Sequence, residues 1–120
     1  LKGNVLRSPL NLNSDHKIDM ISKTLVSISD NILTINGIPI SLPFGNYSIP
    51  KIFYVNNTIY ISITDFDSKK VYLFLSNGTL INGFPVYGNS LIDLSNSDSD
   101  KELEVLVKSE EDSIIVYQIN

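Results

Sequence analysis

SNGTLINGFPVYG, residues 76–88, holds two turns with a short apolar stretch between them, and its flanks make it the joint between two repeated units. VYLFL (71–75) stands before it and a new apolar run opens after it at Leu91. Asn77-Gly78 and Asn82-Gly83 both supply residues that tolerate positive φ, the backbone state that tight hairpin turns require. In an extended VYLFL, Val71, Leu73 and Leu75 point one way and Tyr72 and Phe74 the other. A strand apolar on both faces must be covered on both. That predicts sheets stacked face to face rather than one half-wet sheet.

Partial copies of this joint lie elsewhere. SDNILTINGIPI occupies residues 29–40, and its INGIPI precedes the INGFPV of 81–86 by 46 residues. Gly45-Asn46 precedes Gly88-Asn89 by 43. Two Asx-rich stretches, NLNSDHKIDMI from Asn11 and NSDSDKELEVL from Asn96, start 85 residues apart, close to two such periods. A unit of about 42–46 residues has the length of a four-stranded propeller blade, and repeats this short must stack to be stable. Three units are predicted: 9–48, 49–90 and 91–120.

Strand signals fill these units. Thr58 to Thr64 alternates, with Ile59, Ile61 and Ile63 on one face and Tyr60 and Ser62 on the other. Leu103, Val105 and Val107 are spaced by two, so that stretch is also a strand. IIVY (114–117) is apolar on both faces and is expected to be covered on both. Asp30-Asn31 and Asn56-Asn57 read as further hairpin turns. The fold expected is all-β, consecutive antiparallel sheets of a propeller. A β-sandwich is the alternative; it accounts for the short strands but not the repeats.

Composition supports this and narrows the function. Of 120 residues 42% are hydrophobic and 18% charged, the balance of a globular domain, and Ala is absent while Ile, Val, Leu, Ser and Asn dominate. A net charge of −4 offers phosphate backbones no basic patch, so no nucleic-acid partner is expected. No apolar run approaches the roughly 18 residues of a spanning helix, so no membrane insertion is expected. With no Cys there is no disulfide, thiolate metal site or Cys nucleophile. The chain opens on Leu1, and three units are too few to close a ring, so further blades are expected ahead of it.

With the two Asx-rich stretches in place, the chain resembles FG-GAP (integrin-α-like) and VCBS-type propeller repeats, whose calcium loops follow roughly D-x-D-x-D-G-x-x-D. Asn11, Asn13, Asp15 and Asp19 fall on the oxygen positions of one loop, and Asn96, Asp98, Asp100 and Glu104 on those of the other. The pattern's Gly is His16 in the first and Lys101 in the second, and the middle unit has only the Asn56-Asn57 hairpin in that place. Calcium takes six to eight hard oxygens from a curled loop, and that Gly makes the curl. The competing reading is a pair of solvated Asx turns capping local backbone.

The resemblance implies a non-catalytic scaffold or binding module of a larger exported protein, extracellular, periplasmic or at the cell surface, with a protein or carbohydrate partner. Two alternatives accompany it. One is a quinone-cofactor propeller enzyme with its catalytic residues outside this chain. The other is a calcium-stabilised adhesion or carbohydrate-binding module. No cofactor and no catalytic residue is assigned within the chain: His16 is the lone imidazole, in a polar loop, and GFPVYGNS (83–90) lacks the Lys of a phosphate loop. Tyr47, Tyr54, Tyr60 and Tyr87 are candidates for a binding rim, with packing between blades as the competing reading.

Overall fold

The computed structural model describes residues 15–19, 24–95 and 103–119. They form three antiparallel sheets in chain order, and no helix occurs among them. The first sheet is β1 (Asp15–Asp19), β2 (Thr24–Ser29), β3 (Ile32–Ile35) and β4 (Ile38–Ser41), each strand beside the next. The second repeats that order with β5 (Lys51–Val55), β6 (Thr58–Asp65), β7 (Lys70–Leu75) and β8 (Val86–Tyr87). The third holds β9 (Asp93–Ser95), β10 (Leu103–Lys108) and β11 (Ile114–Ile119), with β10 in the centre.

Two apolar layers hold the sheets together. Val26, Ile28, Leu33 and Ile35 of the first sheet meet Ile61, Ile63, Tyr72 and Phe74 of the second. Val71 and Leu73, from the opposite face of the second sheet, meet Ile92, Val105 and Val107. The middle sheet is thus buried on both sides: Val71, Tyr72, Leu73 and Phe74 are all buried. Three layers sharing a central one replace the two-sheet sandwich. The arrangement is compatible with consecutive blades of a partial propeller, and the described residues form no closed barrel.

Local chemistry explains the hairpins. Asn36-Gly37 and Asn56-Asn57 have both residues at positive φ, and each joins its strands through a two-residue turn. Asp30 and Gly78 supply the left-handed residue of two more. The INGxPx repeat has a structural meaning that the spacing conceals. Its second half enters the fourth strand of the first and second sheets, pairing Ile40 with Leu33 and Val86 with Val71. Its first half differs: Ile35 belongs to β3, whereas Ile81 lies in a longer excursion that leans on the Leu73 carbonyl at 2.8 Å. Asn82 is outside the positive-φ region that Asn36 occupies, and the Phe84–Pro85 bond is cis.

Two expectations change. Ile115 and Tyr117 pack into the second layer, but Ile114 is 58% and Val116 52% exposed, because no described sheet covers their side. Asp15 and Asp19 lie in an extended strand rather than a curled loop, their residues paired with Ile28 and Thr24. At about 3.3 Å per residue, four steps separate their backbones by roughly 13 Å.

The central sheet gives a direct test. Leu73→Ala and Phe74→Ala empty opposite faces, so each should lower unfolding stability in urea by about 2–5 kcal/mol. A large loss from only one of them would mean that the middle sheet is wet on one side.

Candidate functional site

The turns joining second to third strands (30–31, 66–69, 109–113) and the linkers between sheets (42–50, 88–92) meet at one end of the stack. Leu42 N–H donates to the Asn31 carbonyl at 2.9 Å, and Asn31 Nδ2 donates back to the Leu42 carbonyl at 2.7 Å. Linker one joins the next turn: Phe66 N–H donates to the Asn46 carbonyl at 2.8 Å. Linker two does likewise, with Asn89 N–H donating to the Lys108 carbonyl at 2.7 Å. Lys69 and Glu110, 3.0 Å apart, connect neighbouring turns.

A hydroxyl clasp recurs at both linkers. Ser48 Oγ accepts from Thr64 N–H at 3.0 Å and donates to the Ile49 carbonyl at 3.1 Å. Ser90 Oγ accepts from Lys108 N–H at 3.0 Å and donates to the Leu91 carbonyl at 2.8 Å. Each serine satisfies the N–H near the end of the second strand just where the chain changes sheet. Thr64 Oγ1 donates to the Ser90 carbonyl at 2.8 Å, which ties the two clasps together. The glycines three and two residues earlier are needed for close approach. A Cβ on Gly88 would lie 2.6 Å from Val107 and 2.7 Å from Val71, and one on Gly45 would strike the Asp65 carboxylate.

Asp65 organises this end. One carboxylate oxygen accepts from the N–H groups of Asn46 (2.9 Å) and Asp67 (3.0 Å), the other from the Ser68 hydroxyl (2.6 Å). Burial opposes its charge, but the Ser68 hydroxyl and the N–H groups of Asn46, Asp67 and Ser68 outweigh that, so its pKa falls below the ordinary 3.8. Beside it, burial raises the Tyr47 and Tyr72 hydroxyls above their usual range, and the Asp65 carboxylate adds to both shifts. Ser109 plays the turn-capping part in the third sheet, its Oγ accepting from Glu111 and Ser113 N–H groups at 3.1 and 3.2 Å.

The candidate metal ligands are not assembled by the described residues. Asn11 and Asn13, and Asn96, Asp98 and Asp100, lie outside them, as does the turn that the second set would form. Glu104 sits on β10 between Ser95 and Gln118. Among the described residues no three His, Asp or Glu side chains converge on one point. His16 is on β1, opposite Ser27.

The four tyrosines do not form one rim. Tyr47 packs 6.4 Å from Tyr72, ring centre to ring centre, and donates to the Pro43 carbonyl. Tyr60 packs against the second apolar layer, and Tyr54 sits by the Asn56-Asn57 turn with its hydroxyl on Asn57. Tyr87 alone is exposed at the linker end, where its hydroxyl accepts from Glu110 N–H at 3.2 Å. Tyrosines that occur at intervals suggest a rim, but each one's neighbours depend on which side of which strand it takes. The residue that sequence reasoning passed over is Phe44, 88% exposed on the first linker. Its position in LPFGN, between Pro and Gly, was the available signal.

No protein-family model, curated protein or solved structure matches the chain.

The Asp65 node predicts a pH dependence. Asp65→Asn should cost about 1.5–3 kcal/mol at neutral pH, the size of hydrogen bonds to a charged acceptor. Because the folded pKa is depressed, the charged form's contribution is fully present above 3.8 and is lost as pH falls through the lower folded value. The urea midpoints of wild type and variant should therefore converge as the pH falls below 3.8. A gap independent of pH would exclude the charge as its source.

Proposed function

We propose that the chain is a run of three propeller-type blades whose turn end is a non-catalytic binding surface for a protein or carbohydrate partner. The observation that carries this reading is the division of labour at that end. Its polar groups are spent on holding the linkers, while Phe44, Ile49 and Tyr87 stay exposed. Ser48, Ser90, Asp65 and Ser109 act on the backbone of turns and linkers, so their chemistry is structural. An exposed aromatic on a linker anchored on both sides has the character of a binding contact, because little order is lost when it is covered.

The recurrence of the serine clasp and the two-faced middle sheet support the repeat. The all-β class and the linker geometry are compatible with a scaffold role, and its place in a larger, exported protein is what the resemblance to FG-GAP and VCBS-type repeats implies.

An array of immobilised oligosaccharides, probed with the labelled chain and with Phe44→Ala, tests the binding surface. Wild type should be retained, and Phe44→Ala should lose retention at least about tenfold with an unchanged melting midpoint, a loss worth about 1.4 kcal/mol. Equal retention of both proteins would dismiss the turn end as the contact, and retention of neither would dismiss carbohydrate.

In this reading the fold holds without an ion at Asn96, Asp98, Asp100 and Glu104. Melting in chelator and in millimolar calcium should then give one midpoint. A calcium-dependent rise would replace that part of the reading by ion binding, since a ligand that binds only the folded state raises its stability.

A further inference from the structure

Asn-Gly occurs three times in the chain, at 36–37, 77–78 and 82–83. The pair is chemically labile. With no Cβ on the second residue, the glycine nitrogen can approach the asparagine side-chain amide and close a succinimide ring. Closure needs that nitrogen and Cγ aligned and in contact, so a pair whose reacting groups are held elsewhere reacts slowly.

The three pairs differ in how they are held. Asn36 is tied twice to Leu25: its N–H donates to the Leu25 carbonyl at 2.8 Å, and its Oδ1 accepts from the Leu25 N–H at 3.0 Å. Its turn is also closed by the paired Ile35 and Ile38. At 77–78 both reacting groups are engaged. Asn77 Oδ1 accepts from Thr79 N–H at 3.0 Å, and the Gly78 nitrogen donates to the Leu75 carbonyl at 2.9 Å. Asn82-Gly83 has neither restraint. Among the described residues no hydrogen bond engages the Asn82 side chain or the Gly83 N–H, and both residues are exposed. A Cβ on Gly83 would meet nothing within 4 Å, so the ring has room to form. The turn is spanned by the bond from Phe84 N–H to the Ile81 carbonyl at 3.1 Å.

We propose that Asn82 is a modification site, where the folded chain converts asparagine to aspartate and isoaspartate without an enzyme, and that the isoaspartate loosens the anchoring of β8. Hydroxide takes the Gly83 amide proton, the nitrogen attacks Asn82 Cγ, and the Cγ–Nδ2 bond breaks. Ammonia leaves, taking its proton from water and restoring the hydroxide. Water then opens the ring at either carbonyl. Opening at the backbone carbonyl routes the chain through the side-chain carbon, which inserts an extra backbone atom between Ile81 and Phe84. Both of those residues pack against the second apolar layer just ahead of β8, and the bond between them spans the altered turn.

The test is the purified chain held warm at mildly alkaline pH, folded and in urea, with peptide mapping that reads each asparagine separately. In the folded chain Asn82 should convert at least about tenfold faster than Asn36 or Asn77, the rate equivalent of the hydrogen bonds that hold those two. In urea the three rates should draw level. Conversion of Asn36 or Asn77 as fast as Asn82 in the folded chain would overturn the assignment. So would an equal lead for Asn82 in urea, since the preference would then belong to neighbouring side chains and not to the fold. The isoaspartate fraction, separated by ion exchange, should melt at least about 2 °C below Asn82→Asp, which carries the same added charge on an ordinary backbone. Equal midpoints would overturn the loosening of β8.

Discussion

Adjacent residues of β7 cannot share a face, and in this chain neither face can be left to water. Val71 and Leu73 require one cover, Tyr72 and Phe74 another, and full burial of an aliphatic side chain is worth about 1.5–3 kcal/mol that exposure forfeits. The stacked architecture follows. The first sheet supplies Leu33 and Ile35 to one side, and the third supplies Val105 and Val107 to the other. Without both neighbours the middle sheet would be an isolated four-stranded layer with a greasy surface, the state that exposed sheets are built to avoid.

Stacking imposes a demand on the linkers. Packed sheets lie about 10 Å apart, so the chain must leave the fourth strand of one layer and enter the first of the next within a few residues while its backbone polar groups stay paired. Gly45 and Gly88 allow the close approach that a side chain would block, and Ser48 and Ser90 bond the N–H of the strand they cross. Lys51 adds a contact between layers, its ammonium 2.9 Å from the Ile92 carbonyl and 5.1 Å from the centre of the Phe53 ring. The small and polar residues of the linkers are thus as much a part of the packing as the aliphatics are. This is why a chemistry of Gly, Asn and Ser recurs at both linkers.

Much of the architecture was legible because its determinants are local. The alternation in Thr58–Asp65 and Leu103–Lys108 marked those strands, and Asn56-Asn57 marked its turn, since side-chain parity and tolerance of positive φ are properties of a few adjacent residues. The candidate site was less legible. Asp65 looked like one carboxylate among many, because the donors that fix it come from its own turn and from a linker nineteen residues earlier. Asp15 and Asp19 resembled ligands of a loop because alternating oxygens look the same on a curled backbone and on an extended one.

The sequence by itself determined the strand class and the need for the middle strands to be covered twice, both of which depend on the order of side chains along an extended backbone. The tertiary structure alone decided which apolar pairs receive that cover. Val71 and Leu73 are sealed while Ile114 and Val116, at the same positions of the next sheet and just as apolar, stand open. Burial is a relation between layers, and a strand carries no local mark of whether another sheet lies against it.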